Sequence, residues 1–258
     1  MIFETHAHYD DERFDGDREA LLASLGSEGV GNVINVGASF EGCRASLEYA
    51  KNHDFIFAAL GIHPENCEDF TPENVSWIEE RLKDERVVAV GEIGLDYYWV
   101  KEQEGRARQR EIFNEQLKLA RDFGLPVIIH SREACEDTFD ILARAAGDGI
   151  TGVMHCFSYS REVAERYFSI GFYIGVGGVV TFKNSKKLKE AVETAPLERI
   201  LLETDCPYMA PEPFRGKRND STLIRYVADE IARIKGISTA EVISVTEENA
   251  RRLFRTDG

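Results

Sequence analysis

Short apolar segments alternate with longer amphipathic segments along most of the chain. Most of the short segments are apolar at successive positions, as strands buried on both faces of a parallel sheet are. The predicted strands are 1–5, 32–36, 55–60, 87–90, 126–129, 151–154, 172–174 and 199–202. Between them, apolar residues recur at helical spacing in 19–25, 41–50, 75–83, 108–123, 135–145, 162–168 and 186–195. This alternation predicts an α/β protein.

The number of strand and helix pairs favours a (β/α)₈ TIM barrel, with an open doubly wound sheet as the alternative. Six of the predicted strands are followed directly by a cluster of polar residues. The clusters are THAH, GIHP, GEIG, HSR, HCF and ETD, and each lies at the C-terminal end of its strand. In a barrel these ends meet at one mouth, whereas an open sheet keeps the first and last strands far apart.

The remaining sequence completes this prediction. Helical patterns at 223–234 and 240–254 are expected to form the eighth barrel helix and a C-terminal helical cap. The 258 residues contain no Pro/Ser-rich linker, internal repeat or low-complexity tract. We therefore expect a single domain over residues 1–258, with its site at the C-terminal mouth of the barrel.

The first polar cluster contains two histidines, His6 and His8, spaced i, i+2. Side chains at this spacing lie on the same side of a strand, which suits two ligands of one divalent ion. Taken alone, the pair could equally well be two surface histidines that bind no metal. Four more groups at strand ends change this balance, because all six are types that bind hard or borderline cations. The predicted ligands are His6, His8, Glu92, His130, His155 and Asp205.

Six ligands exceed what one ion with an open coordination position takes, so two ions are predicted. Glu92 is the natural bridging carboxylate. We expect His6, His8 and Asp205 on one ion, and His130 and His155 on the other. This ligand set is compatible with Zn²⁺, Mn²⁺ or Mg²⁺.

Three residues are candidates for catalysis. Glu203 and Asp205 are two apart, so one carboxylate can bind metal while the other orients or deprotonates the attacking water. A hydrogen-bond acceptor without a chemical role is the alternative for Glu203. His63, which Pro64 follows, is expected to contact substrate, and a role in anchoring its loop is the alternative.

Charge and aromatic residues suggest where substrate binds. The chain carries a formal net charge of −15, which argues against tight non-specific binding to nucleic acid. If the protein cleaves nucleic acid, this charge predicts that it releases its substrate after few cleavage steps. Basic residues nevertheless stand near predicted ligands, and the loop after the eighth strand of a barrel often holds phosphate. Candidate substrate contacts are Arg132, Arg215, Arg218 and Tyr97. The ring of Tyr97 could stack on a base or another ring of the substrate, and packing under a loop is an equally compatible role for it.

Other features limit the class of protein. No stretch is long and apolar enough for a membrane helix, and the start of the chain is polar where a signal peptide is apolar. The five cysteines are scattered, which argues against a disulfide framework. We therefore expect a cytoplasmic protein that does not bind membranes, and the helix-coated, acidic surface is compatible with a monomer.

Several motifs in order resemble those of the TatD family of metal-dependent deoxyribonucleases, within the amidohydrolase-like barrels. The motifs span almost the whole chain: HAHYD, GIHPE, VGEIGLDYY, QREIFNEQLKLA, PVIIHSREA, HCFS, LLETDCPYMAP and FRGKRN. The resemblance implies a TIM barrel, two divalent ions on the six ligands above, and hydrolysis of phosphodiesters, with DNA trimmed from the 3′ end. The family pattern leads us to expect proline where Asp220 and Ser221 stand.

The resulting hypothesis is a metal-dependent 3′–5′ exodeoxyribonuclease that acts on single-stranded or frayed DNA, with a two-metal-activated water as nucleophile. An amidohydrolase or aminoacyl ester hydrolase, for example a D-aminoacyl-tRNA deacylase, is the alternative, because the same water serves an acyl carbon. A non-catalytic binding protein is disfavoured, since structural zinc sites prefer ligand sets rich in cysteine.

Overall fold

The fold is an eight-stranded parallel sheet whose strand order follows the sequence, as predicted for a (β/α)₈ barrel. The computed structural model describes residues 1–256. Its strands are β1 (Ile2–Ala7), β2 (Val30–Val36), β3 (Ile56–Leu60), β4 (Val87–Asp96), β5 (Val127–Arg132), β6 (Gly152–Met154), β7 (Tyr173–Val176) and β8 (Ile200–Leu202). All eight predicted strands are present, which confirms the fold class.

Helices follow the strands in regular alternation. They are α1 (Arg18–Ser24), α2 (Phe40–Asn52), α3 (Pro72–Arg81), α4 (Gln103–Phe123), α5 (Cys135–Gly147), α6 (Arg161–Ser169), α7 (Lys186–Thr194), α8 (Ile224–Lys235) and α9 (Thr239–Phe254). Most of them bury several apolar residues on one side, as helices that cover a sheet do, while α1 and α3 each bury one, Leu22 and Ile78. Within residues 1–256, none combines the length and apolarity that crossing a membrane requires.

The chain divides into two compact units. The terminal unit comprises Met1–Asn35 with the described part of 156–258, and the central unit comprises Val36–His155. The expectation of one domain over the whole chain stays a prediction.

In the terminal unit, the first and last strands are joined at their C-terminal ends. The amide of His8 donates to the carbonyl of Cys206 at 2.9 Å, and the amide of Asp205 donates to the carbonyl of His6 at 3.0 Å. The hydroxyl of Thr5 adds a bond to the carbonyl of Leu202 at 2.9 Å. These contacts bring residues that are almost 200 positions apart in sequence to the same edge.

Helix α9 covers the opposite, N-terminal ends of the same two strands. Phe254 stacks on Phe3 of β1 with 6.5 Å between ring centroids. The side-chain Nδ2 of Asn249 donates to the backbone carbonyls of Leu197 and Ile200, each at 2.9 Å. The predicted C-terminal helical cap therefore closes the end of the strands away from the candidate site.

In the central unit, β4 is longer than predicted. We expected it to end at Val90, but it continues to Asp96 and pairs with β5 through Asp96 opposite Arg132. Gly94 permits the close approach of β4 and β5 in this extension. At Gly94, with φ +145°, a Cβ atom would stand 2.0 Å from the carbonyl oxygen of His130. Glu92 therefore lies within the strand rather than after it.

Candidate active site

The terminal unit brings together His6, His8 and Asp205, as the sequence predicted. The two Nε2 atoms of the histidines are 3.1 Å apart. The Oδ1 atom of Asp205 lies 3.5 Å from Nε2 of His8 and 3.9 Å from Nε2 of His6. His6 is buried, while His8 and Asp205 are partly exposed. We call these three residues the terminal group.

The backbone around Asp205 explains how its side chain reaches the histidines. Asp205 has φ +57°, in the left-handed region that aspartate tolerates better than most residues. Its carbonyl accepts a hydrogen bond from the amide of Tyr208 at 2.8 Å, which closes a turn that begins three residues after the end of β8. Because the amide of Asp205 also donates to the carbonyl of His6, the residue is held beside β1.

Glu4, a buried carboxyl group that was not predicted from the sequence, fixes the backbone next to the terminal group. Oε1 of Glu4 accepts hydrogen bonds from the amides of His6 at 3.1 Å and Thr204 at 2.8 Å. Burial raises the pKa of Glu4 to about 8, against the effect of those hydrogen bonds. Its position two residues before His6 on a strand was the available signal, because side chains at that spacing share a face.

Glu203 is also buried, and it fixes the backbone at Cys156. Its Oε1 accepts a hydrogen bond from the amide of Cys156 at 2.6 Å. A Cβ atom at Gly175 would lie 2.1 Å from Oε2 of Glu203, so glycine is required for this side chain to fit. Glu203 therefore has a defined positioning contact, whereas Asp205 is the more exposed of the two predicted catalytic carboxylates.

In the central unit, three imidazoles surround the carboxylate of Glu92. Its Oε1 lies 3.0 Å from Nδ1 of His130, 3.7 Å from Nε2 of His63 and 3.9 Å from Nε2 of His155. We call these four residues the central group. His63, which we had expected to contact substrate, thus lies among the predicted ligands.

His63 is oriented by its own backbone and by its neighbour. Its Nδ1 accepts a hydrogen bond from the amide of Glu65 at 3.2 Å, which leaves Nε2 directed at Glu92. Its ring meets that of His130 edge to face, with centroids 4.3 Å apart. The loop-anchoring alternative and a role in the group are therefore both compatible with this residue.

His130 is held from both sides by carboxylates. Nδ1 faces Glu92, and Nε2 lies 3.0 Å from Oδ2 of Asp96. Burial alone would lower the pKa of His130, but hydrogen bonds with Asp96 and Glu92 outweigh burial and raise that pKa to about 9. A site that favours positive charge on the imidazole also favours a divalent cation beside it, with release of the proton.

Asp96 was not among the residues predicted from the sequence. It is buried, and it lies four residues after Glu92 on β4, so that both carboxylates share one face of the strand. A carboxylate that receives the second nitrogen of a metal-binding histidine fixes the tautomer of the ring and raises its basicity. Asp96 therefore has the position of such a supporting residue.

Both groups fit a divalent cation. Ligand atoms bound to one ion at about 2.0–2.2 Å lie roughly 3.0–3.6 Å apart. The donor atoms of the terminal group are 3.1–3.9 Å apart, close to that range. In the central group, the donor atoms of His63, Glu92 and His130 all lie within 4.8 Å of one another, and His155 lies 3.9 Å from Glu92. Mixed histidine and carboxylate ligands are typical of catalytic metal sites.

Of the predicted substrate contacts in the central unit, Arg132 is exposed and Tyr97 is not. Arg132 ends β5, two residues after His130. Tyr97 is only 6% exposed, its hydroxyl donates to Asp137 at 2.6 Å, and it accepts from Arg110 at 2.9 Å. Tyr97 thus occupies a packing position.

The two arginines after β8 also differ. The Arg218 guanidinium makes two bonds of 2.7 Å to the carboxylate of Asp17 and one of 2.9 Å to the carbonyl of Arg13. Arg215 is exposed, and its guanidinium carbon lies 4.3 Å from the ring centroid of Phe182. Arg215 is therefore the more available of the two to an incoming phosphate.

Comparison with known proteins assigns the family. Residues 3–255 match the family described as TatD related DNase. The chain belongs to the TatD family. A metal-dependent hydrolase of Bacillus subtilis, YabD, is 44% identical over 99% of each chain. Another, YcfH of Escherichia coli K12, is 36% identical over 100% of this chain and 97% of its own.

Solved structures agree with this assignment. The TatD homologue YjjV of Escherichia coli K12 is 33% identical with a TM-score of 0.92, covering 99% of this chain and 98% of its own. A TatD family hydrolase of Entamoeba histolytica is 21% identical with a TM-score of 0.86, covering 98% of each chain, and that likeness concerns the fold alone. The protein is therefore a metal-dependent hydrolase of the TatD family with a TIM-barrel fold.

Proposed function

We propose that this TatD family hydrolase cleaves phosphodiester bonds in DNA, as a 3′–5′ exonuclease on single-stranded or frayed ends. The observation that carries the proposal is the pair of mixed histidine and carboxylate groups, in each of which the donor atoms of three residues lie within 4.8 Å of one another. The DNase description of the matched family supports the phosphodiester as substrate.

In this proposal each group holds one divalent ion, Mg²⁺, Mn²⁺ or Zn²⁺. His6, His8 and Asp205 hold one ion, and Glu92 with His130 and His155 holds the other. When bound, such ions polarise the phosphoryl group and lower the pKa of the attacking water. Asp96 keeps the ring of His130 in the orientation that directs Nδ1 toward the ligand set.

Asp205 is the proposed proton acceptor for the attacking water. Its side chain is 17% exposed, so solvent reaches it, whereas Glu203 is 1% exposed and engaged by the amide of Cys156. Glu203 accordingly acts as a positioning residue. Arg132 and Arg215, both exposed, are the proposed phosphate contacts, because a guanidinium fork matches two phosphate oxygens.

The test is a time course with a 5′-labelled single-stranded oligonucleotide under Mg²⁺, Mn²⁺ or Zn²⁺, with chelator as one control. The expected result is a ladder that shortens from the 3′ end and is absent from the His155→Ala, Asp205→Ala double variant. Asp122→Ala, which removes only an exposed partner of Arg121, is the matched control and should cleave normally. An intact oligonucleotide with metal-loaded protein would overturn the proposal and favour an acyl substrate.

A further inference from the structure

The turn after β4 presents two exposed aromatic rings. Trp99 is 62% exposed and Tyr98 is 39% exposed. Their rings meet edge to face, with centroids 4.7 Å apart and planes at 84°. Burial of a large aromatic ring is favourable, so neighbouring aromatic side chains that stay exposed indicate a surface where a ligand or another molecule binds.

Cationic side chains stand beside the rings. The guanidinium carbon of Arg132 lies 3.9 Å from the ring centroid of Tyr98 and 5.8 Å from that of Trp99. Nζ of Lys101 lies 5.3 Å from the Tyr98 centroid, and it also pairs with Glu133 at 3.3 Å. The cation–π contact holds Arg132 against the rings. Because the residue is exposed, N–H groups of its guanidinium can still donate hydrogen bonds to a ligand.

A single carboxylate fixes these rings relative to the central group. Oδ1 of Asp96 accepts hydrogen bonds from the amides of Tyr98 at 2.9 Å and Trp99 at 3.0 Å. Oδ2 of the same carboxylate faces Nε2 of His130 at 3.0 Å. The aromatic turn is therefore anchored to a proposed metal ligand through one side chain, which gives its rings a fixed place beside the proposed reaction centre.

We propose that Trp99 and Tyr98 form a stacking platform for a nucleobase of single-stranded DNA, with Arg132 on a neighbouring phosphate. This inference rests on the proposed function and names how that substrate is held. Aromatic rings with adjacent cations are the combination that binds single strands without sequence preference, because every base offers a π face. Stacking also suits a chain of net charge −15, since it draws little on attraction for phosphates.

The experiment uses the intrinsic fluorescence of Trp99. The chain has two tryptophans, and the other, Trp77, packs edge to face against Phe40 at 5.4 Å. In a Trp77→Phe background, the metal-loaded protein is titrated with a phosphorothioate-linked oligothymidylate, whose length is checked on a gel afterwards. An abasic oligonucleotide of equal length and charge is titrated in parallel. Quenching by the thymidylate but not by the abasic strand is the expected result.

Binding of the same oligonucleotides, labelled for anisotropy, tests the contribution of the ring. Trp99→Ala should weaken binding of the thymidylate by about 5- to 150-fold and leave abasic binding unchanged. Trp99→Phe should retain most of the affinity. Tyr226→Ala, which removes another exposed ring in the terminal unit, is the control and should bind normally.

The outcomes separate this inference from the proposed function. Equal quenching by both strands, or an equal loss of affinity for both in Trp99→Ala, would overturn the stacking platform even if DNA is cleaved. Base-dependent binding without any cleavage would support the platform and contradict the nuclease activity.

Discussion

Asp96 and His130 form a carboxylate–imidazole pair at 3.0 Å on neighbouring strands β4 and β5. The second nitrogen of the same imidazole faces Glu92, also at 3.0 Å. This arrangement fixes which nitrogen of His130 is directed at the proposed ion. Both Glu92 and Asp96 lie on the six residues by which β4 extends beyond the predicted strand end.

We expect Asp96→Asn to weaken binding of the ion in the central group by about 10- to 100-fold, the usual cost of losing such a supporting carboxylate. An amide presents a donor or a weaker acceptor to Nε2, so the ring loses its fixed tautomer. Competition with a chromophoric chelator measures the dissociation constant. Asp137→Asn, in the same unit and bonded to Tyr97 instead, serves as the control, and equal affinity in both variants would exclude this role for Asp96.

The sequence was sufficient to predict the eight-stranded barrel, because buried strands alternate with amphipathic helices along the whole chain. The six metal ligands stay a prediction that rests on polar residues at the ends of buried strands. Asp96 and Glu4 were missed for different physical reasons. Asp96 lies after two glycines, a residue type that is rare inside strands, and the pairing of β4 with β5 up to Asp96 and Arg132 shows that the strand continues. Glu4 lies within an apolar strand, and its burial depends on accepting amides from β1 and from the segment after β8.

Exposure was the property that sequence could least predict. Tyr97, Tyr98 and Trp99 are consecutive, yet Tyr97 is buried while the other two are exposed. The difference comes from the turn that Asp96 stabilises through its bonds to the amides of Tyr98 and Trp99. Similarly, nothing in the sequence distinguished Arg215 from Arg218, because the partner of Arg218 is Asp17, 201 residues away.

We expect Arg215→Ala and Arg218→Ala to have different effects. Loss of the exposed Arg215 should raise the KM for an oligonucleotide and reduce the logarithmic salt dependence of binding by about 0.7, the value for one contact with a single strand. Loss of Arg218 should lower the thermal midpoint, because its bonds to Asp17 and Arg13 are removed. Steady-state kinetics at several salt concentrations, with thermal unfolding of both variants, checks this. An unchanged salt slope in Arg215→Ala would remove that residue from the substrate contacts.

A further prediction concerns the acid side of the stability profile. Hydrogen bonding to Arg233 lowers the pKa of Glu230 below 4.5, against the opposing effect of burial, and Lys189 at 3.1 Å adds to the lowering. A carboxyl group whose pKa is lower in the folded state than in the unfolded state stabilises the fold at pH values above its unfolded-state pKa. This stabilisation is lost as the pH falls through the pKa of the folded state. Glu230→Gln should therefore cost about 0.5 to 1 kcal/mol near neutral pH and progressively less below pH 4.5.

Chemical denaturation of the wild type and Glu230→Gln between pH 3 and pH 7, roughly the range in which carboxylates titrate, measures that difference. Glu165→Gln changes an exposed carboxylate whose contact with Arg161 is longer, at 3.6 Å, and provides the comparison. A difference that grows as the pH falls would have the wrong sign for this ion pair.

The central claim is that two divalent ions, one in each group, are needed for phosphodiester hydrolysis. The direct measurement is single-turnover cleavage of the labelled oligonucleotide by metal-free protein to which defined equivalents of ion are added. The account predicts that full activity requires two equivalents, and that His8→Ala and His130→Ala each retain one bound ion with little activity. Full activity with one equivalent, or cleavage that persists in chelator, would contradict it.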